Sequence, residues 1–218
     1  MDSLERLSAL ALTREPARPA FEYRGRSIKW GEIRQLADRV YGLIEASGTE
    51  PDAPIGLAPR NRPSAVAALL GLIAERRSIR LFDAFQSEIE IARDLEWLKC
   101  PLIIAAAEDF SPQMIAALWE QGIAGIALNE GMDAFAIPGR EQSAFTGETE
   151  APPAPQIDIL SANGGGLLSI TYETIAGHLG QTQNHSTLPV RNIPLLQTAI
   201  QAMLNSERIL LLGRELGG

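Results

Sequence analysis

The chain holds one cysteine and two histidines in 218 residues, only 6% of its side chains are aromatic, and acids outnumber bases 27 to 19. Each scarcity removes a class of explanation. A lone thiol, Cys100, excludes an internal disulfide and fits a reducing compartment. Between Lys99 and Pro101, beside an apolar run and with no histidine near it in sequence, it reads as a buried, inert thiol rather than a nucleophile. His178 and His185 would share a helix face, but Gly180 interrupts the helix and no Cys or carboxylate stands at a ligand offset, so no metal site is expected. A net charge of −8 with no cluster of Lys and Arg excludes sequence-independent nucleic-acid binding. Trp30, Trp97 and Trp119 are too scattered for a base-stacking platform and are expected in cores. No apolar run reaches the roughly 18 residues that span a bilayer. The N-terminal stretch from Met1 to Leu10 carries acids where a signal peptide carries bases, so the chain reads as cytoplasmic, with no membrane span. No Ser-His-Asp or Cys-His arrangement can be proposed from spacing, and no catalytic residue is assigned.

What is present is enough apolar residue, 45%, to bury a sizeable core. Leu4 to Leu12 reads as a short helix. Two alternating runs from Pro19 to Trp30 flank Arg24-Gly25 and predict a β-hairpin. From Gly31, the spacing of Ile33, Leu36, Ala37, Val40, Leu43 and Ile44 predicts an amphipathic helix closed by Gly48. Then a repeating unit begins. Strands at Pro54 to Ala58, Ser78 to Phe82, Leu102 to Ala106 and Ile123 to Leu128 alternate with helices starting at Pro63 (Asn61 near its cap), Ser87 and Ser111. Such alternation predicts parallel pairing with right-handed crossovers, hence an α/β fold: a three-layer, mostly parallel sheet flanked by helices and preceded by the small hairpin.

Residues 1–128 form the expected sheet subdomain. Residues 129–155, rich in glycine, proline and acids, read as a linker or long surface loop, and 156–218 as the start of a second, incomplete α/β subdomain. Its focus is the run from Gln156 to Leu179. An apolar strand leads into Ser161-Ala162-Asn163-Gly164-Gly165-Gly166, with a helix beginning near Thr171. Consecutive glycines bring backbone amides close to an anion, so Ser161, Asn163, Gly164, Gly165 and Gly166 are the candidate phosphate-binding residues. The run matches neither GxxxxGK[ST] nor GxGxxG, and a plain flexible loop accounts for the same residues. Asp83, at a strand's carboxyl end, reads either as a ligand contact or as a cap, and Glu173 as a carboxylate favoured by the first turn of a helix. Further helix is expected from Leu195 to Leu204, then a strand from Glu207 to Leu212 whose rim nothing covers.

Several stretches together resemble the adenylate-forming, AMP-binding synthetases, the family of acyl-CoA synthetases and related ligases. They are Arg18 to Ile33, then Ile55-Gly56-Leu57-Ala58-Pro59-Arg60-Asn61-Arg62-Pro63 with Ala67 to Ala74, then Leu167 to Ala176, then Arg191 to Leu212. The resemblance implies activation of a carboxylic-acid substrate by ATP, with Mg, through an acyl-adenylate and pyrophosphate, followed by transfer to a thiol. It also implies departures. The family's Ser/Thr/Gly loop ending Pro-Lys-Gly is here Ser161 to Gly166, shorter and without threonine or lysine, and a helix-end glycine is replaced by Glu75-Arg76-Arg77. The family's adenine and ribose elements, its magnesium-bridging glutamate and its C-terminal lysine are expected beyond Gly218. What the resemblance implies is therefore a truncated or degenerate ligase, inactive alone, for which ATP and Mg are implied by the resemblance only. The alternative is a non-catalytic module completed by a companion chain or by homo-oligomerisation.

Overall fold

The computed structural model describes residues 3–58, 60–82, 88–149, 151–160, 167–179, 194–204 and 209–211. Ser3 starts α1 (Leu4–Leu12): its hydroxyl accepts the Arg6 amide at 3.3 Å, satisfying a donor that a helix start leaves without an internal partner. β1 (Pro19–Tyr23) and β2 (Arg26–Lys29) form the expected hairpin. Both turn residues, Arg24 (φ 49°) and Gly25 (φ 78°), are left-handed, the turn geometry whose twist suits paired strands. α2 (Trp30–Ala46) buries Ile33, Leu36, Ala37, Val40 and Ile44, and Gly48 follows it at φ 72°.

Strands and helices then alternate: β3 (Ile55–Leu57), α3 (Pro63–Ala74), β4 (Ile79–Leu81), α4 (Glu88–Leu98), β5 (Leu102–Ala106), a 3-10 turn (Ala107–Asp109), α5 (Pro112–Gln121) and β6 (Ala124–Leu128). Ser111 caps α5 by accepting the Met114 amide at 3.2 Å, as its sequence position predicts. After them come β7 (Ala134–Ala136), β8 (Gln156–Leu160), β9 (Leu167–Thr171), α6 (Tyr172–Leu179), α7 (Pro194–Leu204) and β10 (Ile209–Leu211). Seven strands make one sheet in the order β7-β6-β5-β3-β4-β8-β9, its inner five parallel and its two edges antiparallel. On one face Ile55, Leu57, Ile79, Leu81, Leu102, Ile104 and Ile157 pack with side chains of α1, α2, α3, α6 and α7. On the other, Phe82, Ile103 and Ala105 pack with Leu95 and Leu98 of α4 and Met114 and Leu118 of α5. The three-layer, mostly parallel α/β architecture with its separate hairpin is as the alternation predicted.

Several local expectations change. Residues 129–155 supply edge strand β7, and β8 after them lies parallel to β4 in the same seven-stranded sheet. Three residues of strand between prolines, glycines and acids leave no periodic signal. The candidate turn leads into a strand, β9, before the helix. β10 pairs in parallel with β1, Phe21 opposite Ile209, and so has a neighbour in a three-stranded sheet β10-β1-β2. Arg62 occupies the N-cap of α3, with Asn61 directly before it, near the cap as expected. Trp30 is buried as expected, but Trp97 and Trp119 are each 55% exposed, because Leu95, Leu98, Met114 and Leu118 take the sheet-facing positions of α4 and α5. Cys100 is fully buried.

Candidate functional site

Parallel strands end together, so the carboxyl ends of β3, β4, β5, β6 and β8 form one rim, where open α/β sheets place their ligands. The succession β4-β3-β5 places a switch point between β3 and β5: the chain leaving β3 passes to α3 on one face, and that leaving β5 passes to α5 on the other. Arg60 and Asp109 meet in this crevice. Arg60 Nε lies 2.9 and 2.8 Å from the two carboxylate oxygens, and its Nη2 donates to Oδ1 as well. Asp109 also accepts the Ala106 amide at 3.3 Å, and its side chain is only 3% exposed. A chain of exposed and half-buried charges continues along the rim. Arg62 pairs with Glu108 and lies 3.7 Å from Glu130, which in turn lies 3.3 Å from Arg24. Burial opposes the charge on Glu108, but backbone amide bonding and the Arg62 and Arg60 guanidinium groups outweigh it and hold the carboxyl below its ordinary pKa. The Arg60 and Arg62 guanidinium groups at this switch point are thus each paired with a carboxylate of the protein itself.

Further along the same rim, β8 ends at Leu160 and β9 begins directly beside it, Leu160 opposite Leu167. The candidate residues Ser161, Asn163, Gly164, Gly165 and Gly166 join these two strands and lie outside the described residues. Asp83 and His185 lie outside them too, as does the side chain of His178. Beyond β9, the Thr171 hydroxyl accepts the Thr174 amide at 3.2 Å and caps α6, and Glu173 is exposed in the helix's first turn, where a carboxylate is favoured. Tyr172, buried, donates its hydroxyl to Arg77 O at 2.5 Å and its backbone amide to Pro155 O at 3.1 Å. These bonds fix the β9–α6 corner against the end of α3. Nearby, the Asn61 and Thr198 side chains approach to 3.3 Å and tie α7 to the loop after β3.

The opposite rim carries a cleft of about 600 Å³ between α5 and residues 140–148, where Arg140 stacks 4.0 Å over the exposed Trp119 ring. Glu96, Glu120 and Glu148 face Lys99 and Arg140 there, and the mixed charge selects no ligand class. Among the described residues no group of three or more His, Cys, Asp or Glu side chains is placed to hold a metal, and no helix is long and apolar enough to cross a membrane. The sequence missed the rim's ion pairs, because Arg60 and Asp109, or Arg62 and Glu130, are remote in the chain and meet only through the sheet.

No family model and no curated protein matches the chain. Solved structures do. IdnL1 superposes with a TM-score of 0.68 at 14% identity over 96% of this chain and 43% of its own. A natural red-emitting luciferase from Phrixothrix hirtus gives 0.66 at 11% identity over 99% and 60%. Apo MatB from Rhodopseudomonas palustris gives 0.60 at 13% identity over 80% and 36%, and the same protein is among the matches in an ATP-bound form. The chain thus spans between 36% and 60% of the length of these structures. The neighbours are adenylate-forming ligases, and at such identities the likeness establishes a shared fold.

Proposed function

We propose that the chain is a degenerate adenylate-forming ligase, keeping the layered scaffold around the phosphate-loop position without activating a carboxylate on its own. The observation that carries this reading is the passage from β8 to β9 at the carboxyl rim, made by a glycine-rich segment with no cation. The residues present do not fit a magnesium-bound triphosphate. Ser161 to Gly166 offer amides, one hydroxyl and one carboxamide, but no lysine or arginine. Each of the arginines described at the switch point is engaged by a carboxylate, Arg60 by Asp109 and Arg62 by Glu108. Preorganised positive charge is what phosphoryl and nucleotidyl transfer chiefly require, so its neutralisation removes the largest catalytic contribution. The same neutralisation favours a second reading, a non-catalytic subunit.

The deciding experiment is carboxylate-dependent exchange of labelled pyrophosphate into ATP, run on the purified chain with a panel of aliphatic and aromatic acids, beside calorimetric titration with millimolar MgATP. No exchange above the protein-free control and no binding heat are expected. Exchange that depends on one of the acids overturns the loss of function. Heat without exchange turns the reading towards a nucleotide-binding regulator.

A further inference from the structure

We propose that β9 is a docking edge at which a second copy of this chain adds its own β9, antiparallel, across a two-fold axis. β9 closes the order of the seven-stranded sheet, so alternate residues of Leu167–Thr171 turn backbone N–H and C=O groups outward, and among the described residues no strand pairs with that side. Natural edge strands are blunted by shortness, charge, proline or a covering group. The other edges are blunted in these ways. β7 has three residues, its Ala134 O accepts from Arg39 Nε at 3.2 Å, and Pro138 follows closely. β2 carries Arg26 and Lys29, and β10 has three residues preceded by Glu207-Arg208. β9 has five residues and, among the described residues, none of these devices, and its Leu167 and Leu168 are exposed at 37% and 48%.

Charge selects the occupant. The chain carries −8 overall, and two copies repel wherever acids meet. Between Asp158 and Glu173, however, the sequence contains no charged residue. A two-fold axis sets a strand against itself, so a self-complementary edge must be free of like charges, as this stretch is. With the axis through Ser169, Leu168 faces Ile170 of the other copy and Leu167 faces Thr171. No acid opposes another acid. The pairing extends the sheet through both copies and does not depend on whether the chain activates carboxylates.

The test is light scattering on size-exclusion fractions of the full chain at low and high salt. A dimer is expected whose fraction rises with ionic strength, since salt screens the repulsion between two acidic copies and leaves uncharged strand pairing intact. Leu168→Glu and Leu168→Lys, both at an exposed position, should each give monomers with unchanged circular dichroism and melting cooperativity. A wild-type monomer at every salt concentration, which would leave the edge to a strand from a different protein, overturns the proposal. So does a dimer that survives both substitutions in folded protein.

Discussion

Arg80 and Asp158 face each other across the β4–β8 seam, register partners on adjacent parallel strands, with Nε and Oδ2 3.2 Å apart and both side chains buried. The same guanidinium donates to Leu98 O and, at 3.5 Å, lies against Lys99 O, so it also holds the end of α4. Asp158 in turn accepts from Gln156 Nε2 at 2.6 Å. One ion pair therefore joins a central strand, a later strand and a helix of the opposite layer.

Removing one partner leaves the other charge buried without compensation, which costs about 3–5 kcal/mol. Asp158→Leu and Arg80→Met should each lower the denaturant unfolding free energy by that order, and the double variant should recover much of the loss. Simple additivity of the two single effects in this cycle would show that the groups do not interact.

Arg76 follows α3 at φ 58°, in the left-handed C′ position usually given to glycine. Its amide donates to Ile73 O at 3.0 Å, and that of Arg77 to Leu72 O at 2.9 Å, the two bonds of a Schellman ending. The Arg76 side chain, 69% exposed, lies 3.7 Å from the Glu5 carboxylate, which is 18% exposed, a long contact with one solvated partner and of little worth. Arg76→Gly should therefore stabilise the fold by about 1 kcal/mol, relieving the left-handed cost of a side chain. Thermal and urea unfolding check this, and destabilisation would mean that the side chain's contacts outweigh its backbone strain.

Burial pushes the Cys100 thiol from 9.0 up to about 12, although Arg80 nearby opposes the rise. Burial likewise raises Tyr172 above its ordinary value of 10.0. A group that holds its proton more tightly when folded contributes stability that is fully present below its unfolded pKa. As pH climbs from 9 towards 12 the unfolded thiol ionises first and that contribution disappears. Unfolding free energy should fall across this window, and Cys100→Ala should move the onset up towards the range set by Tyr172. A disulfide reagent at neutral pH should label Cys100 only after denaturant is added, and rapid labelling of native protein would contradict its burial.

Helix patterns carried most of what the sequence disclosed. The threefold and fourfold spacing in α2 and the Ser111 cap of α5 each depend on neighbours within a few residues, so they survive without knowledge of the fold. β9 escaped because Leu167-Leu168-Ser169-Ile170 has no clean alternation and directly precedes a helix. β10 was legible as a strand, but its partner β1 lies at the other end of the sequence, and local pattern carries no register. At the candidate site the sequence supplied the glycine-rich run and its missing lysine. It could not supply the Arg60–Asp109 contact, which exists only because β3 and β5 are neighbours in the sheet.

The pairing of β1 with β10 has a consequence for synthesis. Phe21 is translated long before Ile209, and Arg14, which donates to Ala202 O at 2.9 Å and to Met203 O at 2.7 Å, must wait as long for its acceptors. On the ribosome the hairpin therefore emerges with one flank bare, and the nascent chain depends on β10 to cover β1. A stalled or clipped product would retain the parallel layers yet present the β1 flank to whatever strand it meets.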